Sequence, residues 1–462
     1  MDIMCLIFSE MSYEKSAFNR AIRWLHSFKS LYAEYRFMGG GFFRFPLDLA
    51  CIAAHLLSLG VEVRFIDLQA DPKADLEKTL NDFKPDLCVL SCGFPSMHHD
   101  AMTAKRIKNF SSQIHVSTFG VAPTLLKDKF FLFKTWGFEI PFDSIVLGGV
   151  PAYGYEDLIN KEVQNNSSKI IYPRSTKQEE IQANKAWHLF DTELYRSPFT
   201  GKRQIYVEGS YGCPNRCTFC VVPLLYGGHF AIRGVKNIVE DFRSAISMGI
   251  LEISLWDEGT TFQRSQFVEL CSELIKLQEQ GPKFSWNTRS TTALIDEEIV
   301  QLMAKSGVTG ITLGLESFDS EILSNTGKGT TIENNKSAIK LLNEAGIVSI
   351  GHIVLGLPGE TRESVERTIT AVIDSGLQLA QFYCAIPYPG TKLHFQASEA
   401  NLIRVHDLTR YELCNAIMDT GQLGYLEVGE LKKQAMERFY RGKEKSLAML
   451  QGKNFVAWAD RY

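Results

Sequence analysis

The sequence predicts an α/β protein in which a Rossmann-like doubly wound domain is followed by a partial (β/α)6 TIM-like barrel and a helical C-terminal region. Two series of short apolar, β-rich runs alternate with helical patterns, and a polar segment without regular periodicity separates them. We therefore expect the first domain over residues 1–174, a linker over 175–200, the barrel over 201–395 and the helical region over 396–462.

The first series has the pattern of a parallel sheet flanked by helices. Its strands are predicted at residues 3–8, 61–67, 86–92, 114–120 and 144–149. Apolar residues at helical spacing follow Pro46 and end on Gly60, and a second helix is predicted to begin at a capping Asp71. Ligands bind such sheets beyond the carboxyl ends of the strands. The candidates for cofactor contact at this edge are Ser91, Gly93, Gly120 and Gly148.

The second series repeats the alternation six times, which is typical of a partial barrel of parallel strands. Its strands are predicted at residues 203–209, 250–256, 283–288, 307–316, 347–356 and 377–385. Its helices are predicted near residues 235–248, 263–279, 295–305, 331–345 and 361–375. Such barrels carry their chemistry at the carboxyl ends of the strands. The helical and charged pattern after Thr391 shows no catalytic motif.

The composition is that of an ordinary globular protein, with 45% hydrophobic residues, 22% charged residues and a formal net charge of -4. No run of Lys and Arg indicates a nucleic-acid partner, and no apolar stretch reaches the roughly 18 residues that span a bilayer. Ten cysteines are scattered over the chain, which argues for a reducing compartment rather than a disulfide framework. We expect a cytoplasmic protein with no nucleic-acid substrate and no membrane span.

Three cysteines form the most specific motif. Cys213, Cys217 and Cys220 follow a predicted strand in the segment GSYGCPNRCTFCVVP, where Gly212 and Pro214 favour a loop over a helix. A loop lets three thiolates bind one 4Fe-4S cluster and leaves its fourth iron open to another ligand. The alternative is structural zinc, but such sites use four ligands in paired knuckles, and the sequence has no second CxxC. We interpret the other seven cysteines as small apolar core residues.

A CxxxCxxC motif directly after the first strand of a βα barrel resembles the radical S-adenosylmethionine (SAM) superfamily. The segments ISLWDEGTT, ITLGLESFD, GHIVLGLPGET and AIPYPGTKL extend this resemblance over residues 203 to about 395. The resemblance implies that the three cysteines are catalytic through a 4Fe-4S cluster that binds SAM. It also implies an electron donor such as flavodoxin or ferredoxin, and cleavage of SAM to a 5′-deoxyadenosyl radical that abstracts hydrogen from an unactivated carbon.

The resemblance assigns further residues to cofactor binding. They are Phe219, Asp257, Glu258, Arg289, Glu316, Gly356 and Pro358. Phe219 is expected to pack near the adenine, and Gly356 and Pro358 to lie beside it. Arg289 is expected to pair with the SAM carboxylate, and Glu316 to bind the ribose hydroxyls or the amino group. For Arg289 and Glu316, an ordinary surface ion pair is the alternative.

The N-terminal domain resembles the cobalamin-binding branch of the superfamily, through its position before the cysteine loop and its packing pattern. It lacks the DxHxxG segment that supplies an axial histidine in many cobalamin proteins. Where relatives commonly have Gly-Gly and Gly-Glu, this chain has Phe119-Gly120 and Gly148-Gly149. A base-off cobalamin is therefore expected. The adjacent histidines at positions 98 and 99 are interpreted as solvent-facing or capping residues.

The resemblance implies a cobalamin-dependent enzyme that methylates an unactivated carbon of a small metabolite or natural-product intermediate. Radical oxidation, cyclisation or ring rearrangement with the same cofactors is the main alternative. A radical enzyme without cobalamin, a methylthiotransferase and a noncatalytic iron-sulfur sensor are further alternatives. The substrate pocket is expected over the barrel mouth, with Trp256, Tyr383 and Tyr388 either as its aromatic walls or as barrel core.

Overall fold

The computed structural model describes residues 4–9, 45–135, 138–159, 169–173, 186–197, 200–256 and 258–441. Within these residues, two parallel sheets follow one another along the chain. Each sheet is flanked by helices, so the α/β fold class that the sequence predicts is confirmed.

The N-terminal sheet has the strand order β2-β1-β3-β4-β7-β8 among the described residues, and all its pairs are parallel. The strands of this part of the chain are β1 (Met4–Ser9), β2 (Glu62–Asp67), β3 (Leu87–Ser91), β4 (His115–Phe119), β5 (Lys134–Thr135), β6 (Phe138–Glu139), β7 (Ser144–Val146) and β8 (Ile170–Ile171). β5 and β6 form a separate antiparallel pair. The five predicted strands are β1 to β4 and β7, and their order is that of the flavodoxin-like doubly wound fold.

Five helices lie around this sheet in the described residues. They are α1 (Leu47–Ser58), α2 (Leu76–Phe83), α3 (Met97–Phe110), α4 (Val121–Leu126) and α5 (Pro151–Asp157). The first predicted helix is confirmed as α1. The predicted cap of the second helix is wrong, because Asp75 is the residue that accepts a hydrogen bond from the Lys78 amide at 3.0 Å. Asp71 instead accepts from the Lys73 amide in the preceding turn.

The second sheet has the order β16-β15-β14-β13-β12-β9 among the described residues, again with parallel pairs only. Its strands, together with the small pair β10-β11, are β9 (Gln204–Val207), β10 (Ser210–Tyr211), β11 (Ala231–Ile232), β12 (Glu252–Leu255), β13 (Ser285–Thr291), β14 (Val308–Glu316), β15 (Val348–Leu355) and β16 (Leu379–Cys384). β9 and β16 are the two edges of this sheet. All six strands predicted for the barrel are confirmed.

The helices of the barrel lie where the sequence predicts them, with ends that differ by at most two residues. The described helices from the cysteine loop onward are α6 (Val222–Leu225), α7 (Val235–Ser247), α8 (Arg264–Gln280), α9 (Glu297–Lys305), α10 (Ser320–Asn325), α11 (Ile332–Glu344), α12 (Arg362–Asp374), α13 (Lys392–Glu399) and α14 (Tyr425–Tyr440). Thr331 and Thr361 form capping boxes at the starts of α11 and α12. In the C-terminal region, α14 packs on β16, where the Tyr440 hydroxyl donates to the Ala380 carbonyl at 2.8 Å.

The predicted linker contains packed residues in its described part. Trp187 and Tyr195 are buried, and the Tyr195 hydroxyl donates to Asp67 Oδ2 at 2.8 Å. The Phe190 ring lies 5.0 Å from the Phe45 ring. These aromatic residues attach residues 186–197 to the N-terminal domain, although the segment has no helical or strand periodicity.

The carboxyl ends of the two sheets lie against each other. The Gly149 amide, after β7, donates to the Leu225 carbonyl of α6 at 2.7 Å. The Phe94 ring, after β3, stacks on the Tyr388 ring at 5.6 Å. The edge of the N-terminal sheet that binds ligands in doubly wound folds therefore lies at the mouth of the barrel. No helix among the described residues is long and apolar enough to cross a membrane.

Candidate active site

The two ends of the cysteine loop are held together by a short pair of strands. β10 and β11 pair in antiparallel orientation, so residues 212–230 form a closed loop that follows β9. Next to this pair, Arg233 Nη1 donates to the Glu208 carbonyl at 2.6 Å and to Asp241 Oδ2 at 2.8 Å. The Arg233 and Asp241 side chains are both buried, so this ion pair is shielded from water and holds the middle of α7 to the residue that follows β9.

Gly212 precedes the first cysteine and has a φ of 76°. A Cβ at this position would lie 2.1 Å from the His229 carbonyl oxygen. The loop therefore turns back on itself so closely that glycine is required before Cys213. The prediction of a loop around the cysteines is confirmed.

The three thiols of the loop are half-buried and line one cavity. Burial raises the pKa of all three thiols, to about 11 for Cys217 and to about 12 for Cys220. For Cys217 and Cys220, the charges of the neighbouring cysteines raise the pKa further. Three thiolates are thus stable here only beside a compensating positive charge, and bound iron supplies one. The donor set therefore fits an iron-sulfur cluster.

A single-ion zinc site has no support in the described residues. No three His, Cys, Asp or Glu side chains among them lie close enough together to hold one metal ion. Thiols that face one cavity without converging on a single point fit a cubane, whose irons are separate from one another.

Glu316 and Lys328 form a buried ion pair beside the cysteines. Glu316 ends β14 with a φ of 60° at an irregularity of the strand register. Lys328 also donates to the Gly314 carbonyl at 2.7 Å. Burial lowers the pKa of Lys328, but the Glu316 carboxylate and the nearby Cys217 and Cys220 together outweigh burial, so the pKa is raised overall. Lys328 therefore stays charged and lowers the pKa of Cys217.

Arg289 lies on β13, across the cavity mouth. Its Nη1 donates to Glu258 Oε1 at 2.8 Å, and its guanidinium lies 3.2 Å from the centre of the Trp256 ring. Arg289 is mostly buried, whereas Glu258 is partly exposed. A cation held by one flexible carboxylate and one aromatic face can still accept a second carboxylate. Asp257 lies outside the described residues.

The cavity has a volume of about 660 Å³ and extends from the cysteines into the barrel. The predicted site residues that line it are Cys213, Cys217, Cys220, Phe219, Glu258, Arg289 and Glu316. Trp256, Tyr383 and Tyr388 line it as well, so these aromatic residues are walls of the cavity. Residues from the cysteine loop and from the ends of three successive strands therefore line the same cavity.

Other predicted residues do not line this cavity. Gly356 and Pro358 lie in the turn after β15, where Glu360 accepts hydrogen bonds from the Gly356 and Leu357 amides. A Cβ on Gly356 would meet Val428 of α14 at 2.8 Å. The contact with α14 explains the glycine without any cofactor.

The glycines at the edge of the N-terminal sheet also contact polypeptide. A Cβ on Gly120 would lie 2.5 Å from the Cys92 carbonyl oxygen, and a Cβ on Gly148 would lie 2.1 Å from the Leu225 carbonyl oxygen. The Gly93 amide donates to the Ser96 hydroxyl at 3.0 Å. These glycines and Ser91 do not line the cavity. The part of this edge that does line it is Val121, at the start of α4.

Polar residues inside the barrel are a feature that the sequence analysis missed. The Ser254 hydroxyl donates to Asn287 Oδ1 at 2.6 Å, and the Tyr383 hydroxyl hydrogen-bonds to Gln381 and lies 3.4 Å from His352 Nε2. All five side chains line the cavity. Barrels with a packed interior are filled by bulky branched residues. The polar residues at alternate positions of β12, β13, β15 and β16 are the signal that marks a ligand chamber instead.

Lys328 is the other missed residue. It stands between Gly327 and Gly329, both of which have positive φ, in the turn after α10. Lysine between glycines is common in turns, so this local pattern alone does not indicate a site. The pairing with Glu316, twelve residues earlier, became visible only in the structure.

Comparison with known proteins assigns the barrel to a family. Residues 207–372 match the sequence profile of the Radical SAM superfamily. An uncharacterized methyltransferase of Pyrococcus horikoshii is 25% identical over 86% of this chain and 87% of its own length. The anaerobic magnesium-protoporphyrin IX monomethyl ester cyclase of Rubrivivax gelatinosus is 25% identical over 86% of this chain and 73% of its own length. The barrel of this chain, residues 207–372, therefore matches the radical SAM superfamily, and the chain is an enzyme of this class.

Two solved structures share the fold over most of this chain. TsrM, a radical SAM methyltransferase from Kitasatospora setae solved with cobalamin and a [4Fe-4S] cluster, aligns with a TM-score of 0.63 at 16% identity, over 87% of this chain and 78% of that chain. OxsB, a cobalamin-dependent radical enzyme, aligns with a TM-score of 0.60 at 16% identity, over 96% of this chain and 62% of that chain. At such identities the likeness shows the fold. Within its superfamily, the chain resembles the branch that has a cobalamin-binding domain before the barrel.

Proposed function

We propose that this chain is a cobalamin-dependent radical SAM enzyme that methylates an unactivated carbon of a small metabolite or natural-product intermediate. The observation that carries the proposal is the cavity itself. Its walls include the three cysteines, the barrel interior and Val121 from the ligand-binding edge of the N-terminal sheet. The methyltransferase from Pyrococcus horikoshii and the TsrM structure support the same class of reaction.

In this proposal the three cysteines hold the cluster, and the charged residues of the mouth hold SAM. Arg289 and Lys328 offer cations to the carboxylate, and Glu316 accepts hydrogen bonds from the amino group or ribose. Phe219 offers an apolar surface to the adenine. When bound, the reduced cluster supplies the electron that cleaves SAM, and methylcobalamin supplies the methyl group. The chain orients these groups and excludes water from the cavity.

The N-terminal domain fits cobalamin through its topology. Its strand order is flavodoxin-like, and ligands of this fold bind beyond the carboxyl ends of the strands. Here that edge lies against the barrel mouth, where Gly149 and Phe94 contact the barrel. His98 and His99 lie in the first turn of α3 and do not line the cavity. A bound corrin is therefore expected to be base-off, without a histidine ligand.

The substrate is proposed to bind in the barrel interior, beyond the cysteines. His352, Gln381 and Tyr383 present hydrogen-bonding groups there, on the neighbouring strands β15 and β16. A polar substrate group placed against them would be fixed in orientation. These three residues are proposed as positioning contacts for the substrate.

Oxidation, cyclisation or ring rearrangement with the same cofactors is a second candidate, favoured by the likeness to the cyclase of Rubrivivax gelatinosus. A product that carries one added methyl group supports methyl transfer, and a product of unchanged carbon count supports the second candidate. A radical enzyme without cobalamin is the remaining alternative.

The test begins with anaerobic purification from cells supplied with hydroxocobalamin, followed by quantification of iron and corrin. The proposal expects about four irons per chain and about one corrin, and the electron paramagnetic resonance (EPR) spectrum of cob(II)alamin should show no coupling to a nitrogen nucleus. A cluster-loaded protein that cleaves SAM but never binds corrin would refute the methyltransferase proposal.

A further inference from the structure

Arg216 lies inside the cysteine loop, and its side chain donates hydrogen bonds to backbone carbonyl groups from both ends of the loop. Its Nη1 donates to the carbonyl oxygens of Cys213, Pro214 and Asn215 at 3.1, 3.3 and 3.2 Å. Its Nη2 donates to the Gly228 carbonyl oxygen at 3.0 Å. One guanidinium thus joins the segment of the first cysteine to the turn that closes the loop.

The turn is shaped to receive this side chain. Gly228 has a φ of 76°, and a Cβ there would lie 3.3 Å from Arg216 Nη2. The Gly228 amide donates to the Pro223 carbonyl at 2.6 Å, which fixes the turn from its other side. The conformation of the turn at Gly228 therefore leaves room for the Arg216 side chain.

One peptide group connects the Arg216 side chain to the Cys213 thiol through hydrogen bonds. The carbonyl of the Pro214–Asn215 peptide accepts from Arg216, and the backbone of Asn215 at the other end of this peptide hydrogen-bonds to the Cys213 thiol. Since hydrogen bonds in a chain polarise one another, a cation on the carbonyl strengthens the donor at the other end of the peptide.

We propose that Arg216 is a positioning residue that raises the reduction potential of the cluster held by Cys213, Cys217 and Cys220. Cluster potentials rise with hydrogen bonds to the sulfurs and with nearby positive charge. Reduction adds one electron to the cluster, so a fixed cation favours the reduced form. The inference rests on the proposed cluster and adds to it a residue that sets how easily the cluster is reduced.

The test compares Arg216→Met, Arg216→Lys and the wild-type chain, each loaded anaerobically with iron and sulfide. Arg106→Met is the matched control, because Arg106 is an exposed arginine of the N-terminal domain that pairs with Glu77. Potentials are measured by dithionite titration followed by EPR, with and without SAM. Arg216→Met should shift the reduction equilibrium about tenfold, which is about 59 mV more negative for one electron. Arg216→Lys keeps the charge and should shift less, and Arg106→Met should match the wild type.

An Arg216→Met cluster with the wild-type potential overturns the inference. So does a variant that holds less iron while the clusters that form keep the wild-type potential, because that outcome shows a structural role alone. If Arg216→Met takes up no cluster, Arg216→Gln is titrated instead and judged by the same criterion. A wild-type chain that takes up no iron would contradict the cluster assignment itself.

Discussion

Lys328 shows how one side chain connects the barrel to the cysteine loop. It pairs with Glu316, donates to the Gly314 carbonyl and lowers the pKa of Cys217. A buried ion pair contributes little net stability, but removal of one partner leaves the other charge buried and costs about 3 to 5 kcal/mol. The proposed function gives the pair a different role, as a contact for a zwitterionic ligand such as SAM.

Removal of Arg289 or Glu316 is predicted to weaken SAM binding while the iron content stays near that of the wild type. Arg289→Ala and Glu316→Gln each remove a charged partner, which is worth about 1.5 to 3 kcal/mol, or about tenfold to a hundredfold in Kd. Equilibrium binding of SAM to the cluster-loaded protein measures the change. Arg264→Ala is the control, since Arg264 pairs with Asp296 and Glu298 on the exposed surface. Wild-type affinity in both site variants would make these residues structural only.

Glu360 is predicted to make stability depend on pH. Burial raises its pKa from 4.5 to about 7, although the amides of Gly356 and Leu357 donate to Oε2 and oppose the rise. Between pH 4.5 and 7 the folded chain binds this proton and the unfolded chain does not, so this contribution to stability falls as pH rises. A shift of this size corresponds to about 3 kcal/mol.

The Glu360→Gln variant should lose this dependence, because its amide oxygen still accepts from the two amides and carries no charge. Urea unfolding at a series of pH values between 4.5 and 8 measures the slope. The variant should be more stable than the wild type above pH 7. Identical slopes in the two proteins would exclude Glu360 as the titrating group.

At the scale of elements, the contact between α6 and the turn after β7 joins the cysteine loop to the N-terminal domain. Gly148→Ala is predicted to disrupt it, because its Cβ would lie 2.1 Å from the Leu225 carbonyl oxygen at a φ of 48°. Gly60→Ala is the matched control, since Gly60 also has a positive φ but no atom within 4 Å of the new Cβ.

Both variants carry the left-handed strain of about 1 to 2 kcal/mol, and the clash at position 148 adds about 1 to 3 kcal/mol. Denaturant unfolding of the two variants measures the difference. If Gly148→Ala lowered the free energy of unfolding no more than Gly60→Ala does, the contact between the two domains would be shown to be loose.

The elements themselves were predictable because their signals are local. Alternation of apolar runs, capping residues and glycines marked five barrel helices within two residues and every barrel strand within three residues. The packing of the linker left no local pattern, because the Tyr195 hydroxyl donates to Asp67, which is far away in the sequence. The Asp71 cap was wrong because two aspartates at this helix start each accept a backbone amide, and only Asp75 precedes the first helical residue.

The site was predictable only in part, for a similar reason. The CxxxCxxC motif can be recognised from the sequence spacing of its cysteines alone. The pairing of Lys328 with Glu316 depends instead on the conformation of the turn after α10. Gly356 was assigned to the cofactor because exposed backbone at a strand end resembles a ligand contact. In the structure a Cβ on Gly356 would meet Val428 of α14, more than seventy residues later, and a contact with cofactor at Gly356 stays a prediction. Contacts of this kind follow from tertiary packing and leave no local pattern.

At the scale of the whole molecule, the two sheets share one functional edge. The carboxyl end of the doubly wound sheet lies at the barrel mouth, and Val121 from this edge lines the cavity together with the cysteine loop and the polar barrel interior. A chemistry that combines two cofactors with one substrate needs such a shared, water-excluding space. The hydrogen bond from the Gly149 amide to the Leu225 carbonyl holds the two edges together at this point.

The most direct test of this account is reductive cleavage of SAM by the reconstituted chain and by its triple variant Cys213→Ala, Cys217→Ala, Cys220→Ala. The wild type should bind about four irons and four sulfides, change its EPR spectrum when SAM is added, and release 5′-deoxyadenosine under reducing conditions. The triple variant should fold but lose all three properties. Reductive cleavage of SAM by the triple variant would contradict the assignment of these cysteines as the catalytic centre.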